Sequence, residues 1–211
     1  MRIPLVIFDF DGTMVRTLPL AMEIFNQLAP VHNFQPIQDF EALRSLPTKA
    51  FFRQQGIRIW KLGRFVKGFQ EEMQKRAQEI QPVQGLPEVL ANLRKDGHRL
   101  GILSSNAELH IRERLRFFGI EDCFELISSY PKLFGKAKML KRISKTLDIS
   151  RAEVAYIGDE YRDMEAARKA GVRPVAVSWG YHSSALLSDA KPEVIVDTPA
   201  ALLEWIQREN R

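Results

Sequence analysis

The sequence predicts an α/β fold: a mainly parallel sheet covered by helices on both faces, with an all-helical segment inserted after the first strand. Three observations predict it. From Val83 onward, short apolar runs alternate with helix-length stretches, the rhythm of βα units. Residues 16–81 break that rhythm, with helical patterns and no convincing strand. Finally, 211 residues with 45% hydrophobic content are enough for one well-buried domain and a small accessory one.

In chain order, Ile3 to Phe8 is an apolar run ending in an acid, short enough for a buried parallel strand. Helical patterns then cover about Pro19 to Leu28, Asp39 to Ser45, Thr48 to Gln54 and Ile59 to Glu79, the last carrying the weak helix formers Gly63 and Gly68. Gly85 to Lys95 reads as a helix with Pro87 in its first turn and Gly97 as its stop. Arg99 to Leu103 is a strand, Ala107 to Phe117 a helix closed by Gly119, and Cys123 to Ile127 a short strand with Cys123 buried in it. Lys136 to Leu147 is helical, Val154 to Ile157 a strand, and Tyr161 to Lys169 a helix stopped by Gly171. Pro174 to Val177 and Val194 to Val196 are further strands, and Thr198-Pro199 opens the last helix as N-cap and first-turn proline. The expected units are an α/β core of residues 1–15 and 82–211, and a helical unit of residues 16–81.

Composition narrows the setting. No apolar run approaches the roughly 20 residues of a membrane span, and Met1-Arg2-Ile3-Pro4 does not open a secretory signal. A lone cysteine suits a reducing compartment, so the expectation is a cytoplasmic protein. The net charge of +5 is uneven: nine Lys or Arg and two Glu lie between Arg44 and Arg76, so that stretch is +7 and the rest −2. Such a stripe attracts anions, although a solvated helix face is the plainer reading.

In a parallel sheet, ligands bind beyond the carboxyl ends of the strands. Those positions hold Asp9 and Asp11, then Ser104 with Ser105 and Asn106, then Lys136 a little downstream, then Asp159 and Asp163. Singly, each has a structural reading: a turn at Asp11-Gly12, a helix cap at Ser104 to Asn106, a dipole-favoured acid at Asp159, a surface lysine at Lys136. Together, four carboxylates raise one another's pKa unless a cation joins them, and oxygen-only ligands favour Mg²⁺.

The motifs in order resemble those of the haloacid dehalogenase superfamily, in its phosphoglycolate-phosphatase-like branch. They are Asp9-Phe10-Asp11-Gly12-Thr13 after an apolar strand, Ser104 ending Gly101-Ile102-Leu103-Ser104, Gly135-Lys136, and Gly158-Asp159 followed by Asp163. The resemblance covers essentially the whole chain and is weakest in the helical insertion, whose position is similar to that branch's cap. It implies a three-layer Rossmann-like core and a Mg²⁺-dependent phosphatase acting on a small phosphorylated metabolite. It further implies Asp9 as nucleophile and Asp11 as acid–base partner. Asp9, the Asp11 carbonyl and Asp159 would be metal ligands, with Asp163 in support and Glu160 able to share that work. Ser104 and Lys136, with neighbouring Ser105 and Asn106, would hold the phosphoryl oxygens. Arg44, Lys49 and Arg53 in the cap are candidates to meet an anionic leaving group, Arg44 foremost, and the loop Trp179-Gly180-Tyr181-His182 to line the entrance. A phosphosugar mutase shares these motifs and is the alternative. A non-catalytic module binding nucleic acid or protein through the basic stripe is a further one, and nucleic acid is not the expected partner.

Overall fold

A computed structural model describes residues 3–58, 62–130 and 135–210. Six strands form one sheet in the order β3-β2-β1-β4-β5-β6, all neighbours parallel: β1 (Leu5–Phe8), β2 (Arg99–Ser104), β3 (Leu126–Ser129), β4 (Val154–Gly158), β5 (Arg173–Val177) and β6 (Val194–Val196). Strand order runs outward in both directions from the β1/β4 pair, so a topological switch point lies there, where loops diverge and leave a crevice.

Strand period sorts the core. Val6, Phe8, Leu100, Ile102, Ala155 and Ile157 point to one face and pack with helices α5 (Leu86–Lys95), α6 (Glu108–Phe117) and α10 (Pro199–Glu209). Leu5, Ile7, Leu103, Val154 and Tyr156 point to the other, against α7 (Lys136–Thr146) and α8 (Tyr161–Ala170). With both faces covered, β1 reads as four consecutive buried apolar residues instead of an alternation.

Between β1 and α5, the described residues form helices: α1 (Leu18–Leu28), α2 (Phe40–Arg44), α3 (Thr48–Gln54) and α4 (Leu62–Lys75), plus short 3-10 turns at Pro30–His32 and Ala77–Glu79. Their own core gathers Phe25, Phe34 and Phe65, with Phe65 edge-on to Phe25 at 5.4 Å and to Phe34 at 5.2 Å between ring centroids. Helix α1 belongs to both cores, with Leu20 and Ile24 in the sheet's and Phe25 in the helices'. The chain leaves and returns side by side: Arg16 N–H donates to Gln81 O at 2.9 Å, and Val83 N–H to Met14 O at 2.9 Å. No helix of the described residues is long and apolar enough to cross a membrane.

Some elements differ from expectation. The third strand starts at Leu126, and Cys123 sits half-buried in a 3-10 turn, Glu121–Cys123, because that turn closes the α6–β3 connection before the chain extends. Helix α9 (Ser184–Asp189) has no counterpart in the sequence reading; it starts where the Ser183 side chain accepts from Leu186 N–H. In the fourth predicted helix, Ile59 to Lys61 lie outside the described residues, and helix α4 runs through Gly63 and Gly68 unbroken. Within the basic stretch, Arg44, Lys67, Lys75 and Arg76 pair with nearby Glu side chains, which favours a solvated face over a free cationic stripe.

The aromatic cluster yields a test. Phe65→Ala is expected to cost about 3–5 kcal/mol, the usual range for a buried phenylalanine, read as a shift in urea denaturation. A change below about 1 kcal/mol would mean that the cluster is not close-packed.

Candidate active site

The switch point sets the site. Backbone pairing continues past β1, with Asp9 N–H donating to Ile157 O at 2.8 Å, so Asp9 and Asp159 emerge side by side from adjacent strands. Lys136, in the first turn of α7, reaches in from the second face of the sheet. Its Nζ donates to Asp9 Oδ2 and to Asp163 Oδ1, both at 2.7 Å. A cation in a helix's first turn opposes the helix dipole, and the two carboxylates offset that. All three side chains are buried. Burial works against the Lys136 charge, but Asp163 and Asp9 hold it well above its ordinary pKa. Burial likewise opposes ionisation of Asp163, and Lys136 and Arg162 overcome it to keep that carboxyl below its ordinary value.

Asp159 lies in a slot. Thr13 Oγ1 donates to its Oδ1 at 2.6 Å, and Tyr181 N–H to its Oδ2 at 2.7 Å. Two glycines form the walls: a Cβ on Gly12, whose φ is +75°, or on Gly180 would come within 2.2 Å of Asp159 Oδ2. The loop after β5 closes the slot, with Trp179 Nε1 donating to Thr13 O at 3.0 Å and His182 N–H to Asp159 O at 3.2 Å.

Asp11 is held apart from that cluster. Asn106 Nδ2 donates to its Oδ2 at 2.6 Å, and the Thr17 hydroxyl, 3.2 Å from Tyr181 OH, favours the charge on the same carboxyl. Burial lifts Asp11 to about 6, against the pull of Lys136. Asp9 rises to about 7, because burial outweighs Lys136, with Asp163 and Glu160 adding to the rise. Asp159 is pushed well above its ordinary value, by burial first and then by Glu160, Asp9 and Asp163.

The cluster is therefore short of positive charge. Ligand atoms of Asp9, Asp159 and Asp163 lie within 4.8 Å of one another. Asp163 Oδ2 is buried without a partner among the described residues. Both observations fit a divalent cation, and a donor set made only of oxygen fits a hard ion of the Mg²⁺ type. The Asp11 side chain is outside this group, bonded to Asn106.

Of the other predicted residues, Ser104 ends β2, buried, and its Oγ accepts from Asn106 N–H at 3.1 Å; Ser105 is half-buried between them. Arg44 is drawn elsewhere: it pairs with Glu41, and its Nη2 donates to Ser178 O at 2.7 Å. Its own carbonyl accepts from Ser183 N–H at 2.9 Å, so the end of α2 is seated on the 178–183 loop. Glu160 turns to Arg162 instead of the three aspartates. The sequence reading gave no role to Thr17; it placed Gly12 in the first motif and Gly180 and Tyr181 in a loop expected to line the entrance, and the structure puts that loop against Asp159.

Hydrolysis of a phosphate ester needs an anionic nucleophile beside cationic and hydroxyl groups for the phosphoryl oxygens, and this sheet edge carries both. Comparison with known proteins gives the same class. The chain belongs to the haloacid dehalogenase-like hydrolase family, whose model matches residues 6–177. It is 34% identical over 208 residues to the phosphoglycolate phosphatase of Synechococcus elongatus, covering 98% of each chain. It is 24% identical over 220 residues to pyrophosphatase PpaX of Bacillus cereus, covering the whole of each. Among solved structures, a haloacid dehalogenase-like hydrolase from Streptococcus pneumoniae has the same fold, with a TM-score of 0.81 and 21% identity over 97% of this chain and 99% of that one.

His182 provides a pH test. Its Nδ1 accepts from Tyr161 N–H at 2.8 Å, the first free donor of α8, so the ring must be unprotonated there. Burial depresses its pKa below 6.5. The unfolded chain thus takes the proton first, and this contribution to stability is complete above pH 6.5 and lost as pH falls through the depressed value. His182→Asn, whose side-chain oxygen can take the same bond without titrating, is expected to flatten the pH dependence of urea denaturation below pH 6.5. An unaltered profile would remove His182 from that account.

Proposed function

We propose that this chain is a Mg²⁺-dependent phosphatase that hydrolyses a small phosphate monoester through an aspartyl-phosphate on Asp9. The observation that carries the reading is the division of the carboxylates. Asp9 is tied to Lys136 at 2.7 Å, whereas Asp11 is held separately by Asn106 at 2.6 Å. One is placed to attack while its charge is balanced, and the other is free to move a proton.

In the first half, an Asp9 carboxylate oxygen bonds to phosphorus as the bond to the leaving oxygen breaks, and Asp11 gives that oxygen its proton. In the second half, Asp11, now a carboxylate, takes a proton from water. That water bonds to phosphorus, the Asp9–phosphorus bond breaks, and inorganic phosphate leaves. A pKa of about 6 suits a group that must be acid and then base near neutrality. Lys136 and Ser104 bind non-bridging oxygens, where charge is concentrated in the transition state, with Ser105 and Asn106 shaping that pocket. Asp9, Asp159 and the Asp11 carbonyl would hold Mg²⁺, with Asp163 in support. The ion supplies positive charge to the phosphoryl oxygens.

Residues 16–81 act as a cap that covers the site and keeps water from it. In this reading Arg44 serves cap closure through its bond to Ser178, and Lys49 and Arg53 remain the cap cations for an anionic leaving group. The relative named phosphoglycolate phosphatase makes 2-phosphoglycolate the first substrate to test, and a cytoplasmic location accords with a small metabolite and a lone cysteine. Both named relatives are hydrolases, which supports hydrolysis over phosphoryl return to a sugar.

Phosphate release from 2-phosphoglycolate and a panel of small phosphate monoesters, with and without Mg²⁺, is the test. Asp9→Asn is expected to abolish turnover, and Asp11→Asn to lower it by roughly 10²–10⁴-fold, the usual worth of acid–base help. Chelation should stop the reaction and added Mg²⁺ restore it. Mg²⁺-dependent release that survives Asp9→Asn would refute the mechanism, and an isomerised sugar phosphate without free phosphate would replace hydrolase by mutase.

A further inference from the structure

Beside the three aspartates stands a fourth carboxylate, that of Glu160, adjacent in the chain to Asp159. Glu160 is the N-cap residue of α8 and has an extended backbone, φ −113° and ψ 147°. Its side chain caps no helix N–H. Instead it accepts a hydrogen bond from Arg162 Nη2. Residues two apart within a helix do not face each other; the extended N-cap is what lets this pair form. Glu160 is 15% and Arg162 23% exposed at the side chain, so the pair lies largely inside the edge of the site.

Besides Glu160, the charges of Asp163 and Asp9 favour the Arg162 guanidinium there. It occupies the first turn of α8, where the helix dipole opposes a cation. Its Nε is buried with no partner among the described residues. Glu160, for its part, follows Asp159 directly in the chain, and after burial, the dominant cause, its charge adds to the upward push on Asp159, Asp9 and Asp11. Its only side-chain hydrogen bond among the described residues is the one to Arg162. An exposed pair would be worth little; this one controls where a near-site charge points.

We propose that the Glu160–Arg162 ion pair sets the ion preference of the aspartate cluster by withholding a fourth carboxylate. Mg²⁺ keeps several of its waters and takes few protein oxygens, whereas Ca²⁺ takes 6–8 oxygens and accepts bidentate carboxylates. Three aspartates, two of them already sharing Lys136, form a sparse set that suits the smaller ion. A released Glu160 adds one or two oxygens and shifts the set toward the larger one. Arg162 is in this sense a positioning residue, acting on the ion through Glu160. The inference rests on the reading of the cluster as a Mg²⁺ site.

The test is calorimetric titration of the metal-free protein with MgCl₂ and, separately, CaCl₂, which reads binding without turnover. Arg162→Gln is expected to move the ratio of Ca²⁺ to Mg²⁺ affinity toward Ca²⁺ by about tenfold, equivalent to about 1.4 kcal/mol. The double variant Glu160→Gln/Arg162→Gln should return the ratio to that of the unaltered protein. Glu160→Gln alone, which removes no buried cation, should leave the ratio within about twofold, a difference worth well under 1 kcal/mol. An unchanged ratio in Arg162→Gln overturns the proposal, as does a shift that persists in the double variant. If Arg162→Gln does not fold, Glu160→Gln still decides: an altered ratio there means that Glu160 is already a ligand, which also overturns it. Absence of Mg²⁺ binding in the unaltered protein would instead remove the underlying metal reading.

Discussion

A buried ammonium between two buried carboxylates carries the site, and much of the surrounding structure serves to keep it so. Lys136 is removed from water, with Asp9, Asp163 and the neighbouring Tyr156 ring against its charge. Removing one member of such a group leaves an unpaired buried charge, which costs about 3–5 kcal/mol, whereas the intact group adds little net stability. Its value is positional. The three residues come from β1, the start of α7 and the start of α8, so they meet only when both crossovers are packed against the sheet.

The sheet's topology makes that meeting possible. Because β1 and β4 are neighbours and the chain turns opposite ways after them, two acids leave the sheet at the same level with room between their loops. Close backbone approach then finishes the geometry. Gly12 and Gly180 admit no side chain against Asp159, so this carboxylate is located by packing as well as by Thr13 and the Tyr181 amide. Asp159 is thus fixed on one side of the crevice, and Asp9 is tethered to Lys136 on the other.

The parallel sheet was legible because β1 and β4 are apolar on both faces, and because Gly97, Gly119 and Gly171 follow the helices between strands. The acids were legible because strand ends are where such sheets expose functional groups. Three things were not. The strand at Leu126 could not be placed to within three residues, since Cys123 and Phe124 look as strand-worthy as Leu126 and only the 3-10 turn separates them. Helix α9 is six residues long, too short to show a period. Arg44 carries a charge that suggests a ligand, but its bond to Ser178 O depends on where two distant loops meet, which no local pattern encodes. The meeting of Tyr181 with Thr17 was hidden for the same reason, the two being 164 residues apart and joined only by folding.

The place where the chain departs from the sheet and rejoins it has an evolutionary consequence. Val15 bridges to Asp11 on one side and to Pro82 on the other, so exit and re-entry are stitched into a single seam. Everything beyond that seam can be lengthened, shortened or exchanged while the strands keep their partners, because an insertion between adjacent anchor points imposes no strain on its host. The limits of this freedom are set by Leu20 and Ile24 of α1 and by Ile80, which must still fill the host's core, with Phe69 and Met73 packed against it. A lineage can thus rewrite part of the excursion past the second turn of α1 and leave the aspartates at the strand ends untouched.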